Sequence, residues 1–301
     1  MSQQNRAHIG VLFTNFFFAL NLSLVQFISP EPLGPYGLNL FRVGGCLLLF
    51  WTITWITRPA DEKPIQGNDW WRLFACGMTG VFLNQTLFIK GLTLTSTIHA
   101  ALLMLSTPLV ITGMAIFFIG ERLQWLQGLG LALGLSGAAM LIMDRTNMGE
   151  DSLFGDGLIV LNAISYAVYF IIVKPLMQRY PPRQVIRWVF TFGALGTIPL
   201  GIGHATELTH IGMNSQQILA LVIIVFCGTF LAYSFNIRAI QVLGASVAGS
   251  YIYLQPVFAA LISILFLNEH FTIGKIIAAL MIFVGVYLSS RKKVEKMGVE
   301  G

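Results

Sequence analysis

Charge is scarce in this chain: of 301 residues, only 10% are Asp, Glu, Lys or Arg. A soluble domain of this length carries about a quarter, so the deficit excludes an ordinary globular enzyme, a disordered chain and a nucleic-acid-binding protein. Cysteine is scarce too. Cys46, Cys76 and Cys227 are odd in number, lack metal-ligand spacing and fall inside apolar runs, which makes them small core residues. No glycine-rich phosphate loop stands in the strand and Lys-Ser/Thr context that phosphate binding needs. No metal cluster or nucleophile triad is present, and no aspartate lies deep in an apolar run. The expectation is a protein that is not an enzyme and carries no cofactor or metal.

What is there is apolar: 55% of the residues are hydrophobic and the mean hydropathy is +0.75. A membrane-crossing helix takes about 20 apolar residues, so ten would use about 200 and leave about nine per connection. That is too few for a nucleotide-hydrolysing domain. Hydropathy marks ten spans, at 8–28, 34–57, 71–91, 97–119, 123–143, 154–174, 184–204, 216–238, 246–267 and 272–290. Ser29-Pro30-Glu31-Pro32, the run from Arg58 to Pro64, and Tyr180-Pro181-Pro182-Arg183 punctuate them. The first apolar stretch is long, interrupted by Asn15 and Asn21, and lacks a small-residue cleavage site, so it reads as the first span and not as a signal peptide.

Cationic loops stay on the cytoplasmic side of a membrane, and this accounts for the net charge of +5 without an anionic macromolecular partner. With the N-terminus inside, the inner side receives Arg6, Arg58, Lys63, Arg72, Arg122, Lys174, Arg179, Arg183, Arg187, Arg238, Arg291, Lys292, Lys293 and Lys296. The outer side receives Lys90, Arg145 and Lys275, and Arg42 lies within a span. Both termini are therefore expected in the cytoplasm, with the chain in a bacterial-type cytoplasmic (inner) membrane.

The halves match each other. Gly80-x-Phe-Leu, Lys90, Ala100, Pro108, Glu121 and Gly137 recur 148 residues later as Gly228-x-Phe-Leu, Arg238, Ala248, Pro256, Glu269 and Gly285. Asn15 and Pro35 recur as Asn162 and Pro182 at a spacing of 147, a one-residue slip before the third span. Five spans per half is odd, so the second half enters the bilayer from the opposite side, as in many secondary transporters. The expected fold is an all-α polytopic membrane protein of ten helices in two inverted-topology repeats, 8–143 and 154–290, followed by a basic cytoplasmic tail, 291–301.

Pro-centred fourth and ninth spans, each followed by glutamate in Thr107-Pro108…Gly120-Glu121-Arg122 and Gln255-Pro256…Asn268-Glu269-His270, resemble the EamA-type drug/metabolite transporter superfamily. Arg42, in Asn39-Leu-Phe-Arg42, is similar to the arginine of that family's second span. The resemblance covers about residues 8–290. It implies a ten-helix carrier with a cavity bounded chiefly by spans 1, 3, 4, 6, 8 and 9, and export of amino acids, other metabolites or drugs. Span 7 departs from the pattern: Val189 stands where Arg42 would recur.

Pro108 and Pro256 each deprive a carbonyl four residues earlier of its donor, so both helices are expected to kink and shape the cavity. Arg42 is costly inside a span, about 2.5–3.5 kcal/mol on insertion scales, and must face the bundle or water. It either attracts a substrate anion or clamps backbone carbonyls; its presence in family members with different substrates favours the clamp. Glu121 and Glu269 fall on opposite faces, as gates or, preferably, interfacial anchors. Asn15, Asn21, Asn84, Gln85, Asn162, Tyr166, Tyr169, Tyr233, Asn236, Ser250, Tyr253 and Gln255 concentrate in the expected cavity helices. Singly, each fits an ordinary interhelical hydrogen bond. Together they resemble a site for a small polar or aromatic solute. The stripe Gly128, Gly130, Gly134 and Gly137 fits either internal helix packing or a homodimer. The expected partners are a small-molecule substrate and the lipid bilayer, with no nucleic acid. The leading expectation is an exporter of a small metabolite working by alternating access. A broad-specificity drug exporter and a non-transporting membrane interaction protein are its alternatives.

Overall fold

The computed structural model describes residues 3–29, 31–104, 106–107, 109–110, 114, 125–143, 152–243, 251–266 and 272–290. Among these there is no strand. The helices are α1 (Gln3–Ile28), α2 (Pro35–Thr57), α3 (Gly67–Gly77), α4 (Asn84–Leu92), α5 (Thr97–Met104), α6 (Trp125–Met143), α7 (Ser152–Arg179), α8 (Pro182–Ile211), α9 (Ser215–Val225), α10 (Ala232–Leu243), α11 (Gln255–Phe266) and α12 (Ile273–Ser290). Among the described residues, six continuous helical stretches are long and apolar enough to cross a membrane: Gln3–Ile28, Pro35–Thr57, Gly67–Leu92, Leu153–Arg179, Pro182–His204 and Ser215–Asn236. They coincide with expected spans 1, 2, 3, 6, 7 and 8. Spans 5 and 10 are present as α6 and α12, whose apolar parts Gly128–Met140 and Ile276–Gly285 are shorter. Parts of spans 4 and 9, with Pro108, Glu121, Ser250 and Glu269, lie outside the described residues, as does the tail 291–301.

The helix ends follow local chemistry. Pro35 opens α2, where its missing N–H costs nothing, and the left-handed Arg58 closes it by donating its N–H to the Thr54 carbonyl. A reciprocal capping box opens α9: Gln217 N–H donates to Asn214 Oδ1 at 2.9 Å, and the Asn214 N–H donates to Gln217 Oε1 at 3.0 Å. Helix α8 continues to Ile211, past the expected end at 204, because hydropathy marks only the lipid-embedded part of a helix.

Two π-helical turns interrupt the third and eighth spans, Met78–Leu83 and Phe226–Leu231. They are the same six positions of the repeat, 148 residues apart. Each contains a glycine pressed against a side chain of the opposite half. A Cβ on Gly80 would sit 2.4 Å from Tyr169 Cδ2, and one on Gly228 would sit 2.8 Å from Asn21 Oδ1.

The repeats interlock by exchange. Helix α1 packs on α10 and α11, while α7, its counterpart, packs on α4 and α5. Helices α2 and α8 pair, as do α6 and α12. Both pairings are antiparallel. Phe50 lies against Phe190, with ring centroids 5.3 Å apart, whereas Gly37, earlier in α2, lies against His204, later in α8. In the other pair Gly137 meets Ile282, and Gly285 meets Gly134; the repeat shift turns one contact into the other. Gly130, Gly134 and Gly137 of the α6 stripe are thus engaged in packing within the chain.

The surface is inverted relative to a soluble protein. Leu48, Trp55 and Ile56 of α2, Leu219 of α9 and Leu280 of α12 are exposed, while Asn15, Asn21, Asn39, Asn84 and Asn162 are buried. Trp51, Trp188 and Trp70 form an edge-to-face chain with centroids 5.4 and 4.8 Å apart. The Arg187 guanidinium lies 4.6 Å from the Trp51 ring centroid. Tryptophan and arginine at this end are what a lipid–water interface selects.

Candidate functional site

The π turns place the polar residues of the interior. A π turn breaks the regular i-to-i−4 ladder, and carbonyls at and beyond it are met by side chains of the other half. Ser165 donates to the Thr79 carbonyl at 2.7 Å. Asn162 Nδ2 donates to the Asn84 carbonyl at 2.7 Å, and Asn84 Nδ2 returns a bond to the Asn162 carbonyl at 3.3 Å. The repeat counterpart of Asn84 is Ala232, whose carbonyl accepts from Thr14 Oγ1 at 3.2 Å. The same backbone position in each half is therefore held by the leading helix of the other.

At the centre, Gln85 Nε2 donates to the Tyr233 hydroxyl at 3.1 Å. These two residues are repeat equivalents, 148 positions apart, so the bond straddles the axis relating the halves. The Tyr233 ring stands edge-on to Phe190 and Phe18, at centroid distances of 5.5 and 6.1 Å. Tyr166 and Tyr169 lie 5.7 Å apart, centroid to centroid, on α7. Arg42 is 3% exposed; its Nε donates to Thr229 Oγ1 at 2.7 Å, and Thr229 Oγ1 donates to the Ile224 carbonyl at 3.0 Å. Arg42 thus clamps the second π turn through a hydroxyl.

The remaining expected residues divide. Asn15 donates to the Val11 carbonyl at 2.7 Å and accepts from Gln255 Nε2 at 3.0 Å, tying α1 to α11. Asn21 is buried against Gly228. Asn236 is half-buried on α10 and, among the described residues, makes no hydrogen bond to the others. A 3₁₀ turn, Tyr251–Leu254, runs directly into α11, in which Pro256 is the second residue; the change of helix type comes where the proline removes a donor. The side chains of Tyr253 and Pro256 lie outside the described residues.

Two polar latches, which hydropathy could not reveal, bracket this centre. At one end of α7, Arg179 Nη1 donates to both oxygens of Asp69 at 3.1 and 3.0 Å, and the Tyr180 hydroxyl donates to Asp69 Oδ2 at 2.9 Å. Arg187 grips Glu62 with two bonds of 2.6 and 2.9 Å, Gln184 Nε2 donates to the Lys63 carbonyl at 2.6 Å, and Arg183 pairs with Asp61. At the other end, the buried Asp156 lies 3.2 Å from His99 Nδ1 and accepts from Thr95 Oγ1 at 3.0 Å. Asp156 and Arg179 are 23 residues apart on one helix, about 35 Å at 1.5 Å per residue. Each latch joins the first half to the second. The signal for them was an acidic residue at each end of a pair of spans, opposite a basic residue in the other half.

The model of the EamA-like transporter family matches residues 5–143 and again 153–291. The chain belongs to the EamA-like transporter family. Its two matched segments divide this EamA protein where the repeat spacing divides it. An uncharacterised transporter of Archaeoglobus fulgidus is 24% identical, over 96% of this chain and 99% of its own. A probable terminal-alkyne amino-acid exporter of Streptantibioticus cattleyicolor is 24% identical, over 84% of this chain and 85% of its own. The uncharacterised inner membrane transporter YicL of Salmonella typhimurium is 28% identical over 60% of this chain and 54% of its own. A crystal structure aligns with a TM-score of 0.61 at 18% identity, covering 96% of this chain and 98% of that one, which shows the shared fold.

Proposed function

We propose that this EamA-family transporter is a ten-helix secondary exporter of a small polar or aromatic metabolite, such as an amino acid. It is inserted as two inverted repeats with both termini cytoplasmic, and it works by alternating access. The observation that carries the reading is the Gln85–Tyr233 bond between equivalent residues. It lies among half-buried tyrosines and buried amides, where a solute can be held on the axis between the halves. The antiparallel pairing of equivalent helices supports the inverted arrangement. The two latches supply the ends: opening the solute path at the Arg179 end breaks Asp69–Arg179 and Glu62–Arg187, and opening it at the other breaks His99–Asp156. The amino-acid class leans on the name of the Streptantibioticus relative, and an inner-membrane location on that of the Salmonella relative.

The test is a thermal-shift screen of the purified protein against a metabolite library, since a ligand that binds the folded form raises its stability. Counterflow of the hits in proteoliposomes follows. The reading requires saturable counterflow that is lost in Tyr233→Ala at unchanged folded yield. Hits without counterflow leave a binding protein and remove the transporter.

A further inference from the structure

The clamp made by Arg42 uses only part of its guanidinium. Nε is spent on Thr229, and the Cζ lies 5.8 Å from the Phe88 ring centroid. Nη1 is buried with no partner, and no carboxylate contacts the side chain among the described residues. A buried cation without a counter-charge is strongly unfavourable. Holding a π turn through a threonine hydroxyl asks only for a neutral donor, so the clamp leaves the charge unexplained.

Other unspent hydrogen-bonding groups lie around it. Asn39, three residues earlier on α2, donates to Thr86 Oγ1 at 2.9 Å, but among the described residues its buried Oδ1 has no partner. Asn21 Oδ1 is also buried without a partner, against Gly228, the residue before Thr229. Tyr233 lies four residues, about one turn, beyond Thr229 in the same helical run; its oxygen accepts from Gln85, and among the described residues no acceptor takes its own hydroxyl proton. The set is one charged donor, one hydroxyl donor and two amide oxygens.

We propose that Arg42 docks the carboxylate of the transported solute. Nη1 and the Tyr233 hydroxyl donate to the carboxylate oxygens, and the free oxygens of Asn21 and Asn39 accept from N–H or O–H groups elsewhere on the solute. Charge-assisted bonds of this kind are the stronger ones, and the solute supplies the missing negative charge. The assignment rests on the transport reading and adds the substrate's charge to it.

The experiment measures ligand affinity by thermal shift, with the L-amino acids and short carboxylic acids as probes, each beside its uncharged carboxamide. At least one acid is expected to bind about tenfold or more tightly than its amide, the scale of a lost hydrogen bond to a charged group. Arg42→Gln should lose that preference. Thr229→Val, which breaks the clamp and leaves the guanidinium, should retain it. Arg42→Lys reads the same loss in part if the glutamine variant does not fold. Equal binding of acid and amide overturns the carboxylate assignment and leaves the transport reading standing. Equal losses in Arg42→Lys and Thr229→Val reduce Arg42 to a clamp. Absence of any saturable ligand in either arm overturns both readings.

Discussion

Replacing Asp69 by asparagine tests whether the Arg179 end of the molecule is a gate. Asp69 is 2% exposed and its carboxylate takes three bonds, two from Arg179 and one from Tyr180. The Tyr180 oxygen in turn accepts the Gln66 N–H at 3.0 Å, so the carboxylate anchors the start of α3. Arg179 is 54% exposed on its side chain, so solvent screens the ion pair and its full buried value does not apply. Asparagine keeps one acceptor and the tyrosine bond, and loses the charge. A hydrogen bond to a charged group contributes about 1.5–3 kcal/mol; with screening, about 1–2 kcal/mol is the working figure for this site. That corresponds to a shift of about five- to thirtyfold toward the form open at the Arg179 end. The assay uses a variant retaining only Cys76, which is buried on α3 two turns beyond Asp69. Alkylation by a membrane-permeant maleimide should speed up by that factor in Asp69→Asn. Arg187→Gln, which removes the paired grip on Glu62 at the same end, should act in the same direction. Equal alkylation rates in all three proteins at equal folded yield would refute the gate.

Gly285→Val should abolish folded protein in the membrane, because even a Cβ there would lie 2.5 Å from the Gly134 backbone nitrogen. Gly157→Ala, with open space at the same point, should raise stability by about 0.5–1 kcal/mol; yield and Tm of the two variants are the readout. Tyr233→Phe and Gln85→Leu should be non-additive in Tm, with a coupling of about 0.6–1.7 kcal/mol as for other interhelical hydrogen bonds in membranes. Additive losses would place the two side chains apart.

Much of this arrangement is legible in the amino-acid sequence. Lipid demands long apolar helices with every backbone group satisfied internally, so hydropathy alone located the spans that appear as α1, α2, α7 and α8. The spacing of 148 residues made Gln85 and Tyr233 equivalent, and both stood among the expected cavity residues. That they touch follows from how the halves interlock, which spacing does not encode. The π turns left no mark in composition: Gly80 and Gly228 stood out as repeated glycines, but an added residue in a helical turn changes neither hydropathy nor period enough to be seen. Arg179 and Arg187 entered only as basic residues that orient the chain, whereas the fold also engages them with Asp69 and Glu62. Asp156 and His99 meet across the two halves at the start of different spans, a pairing that only tertiary structure supplies. Asn15 and Asn162 matched as repeat equivalents but differ in role, one bonded within α1 and to Gln255, the other to the Asn84 backbone.

Alternating access between inverted repeats requires equivalent helices to run in opposite senses through the bilayer. Ala60, between α2 and α3, and Ser215, at the start of α9, are both exposed and lie at equivalent connections of the two halves. In a protein stripped of its native cysteines, Ala60→Cys should react with an impermeant maleimide only from the cytoplasmic side, and Ser215→Cys only from the outside. Reaction of both from one side would contradict it.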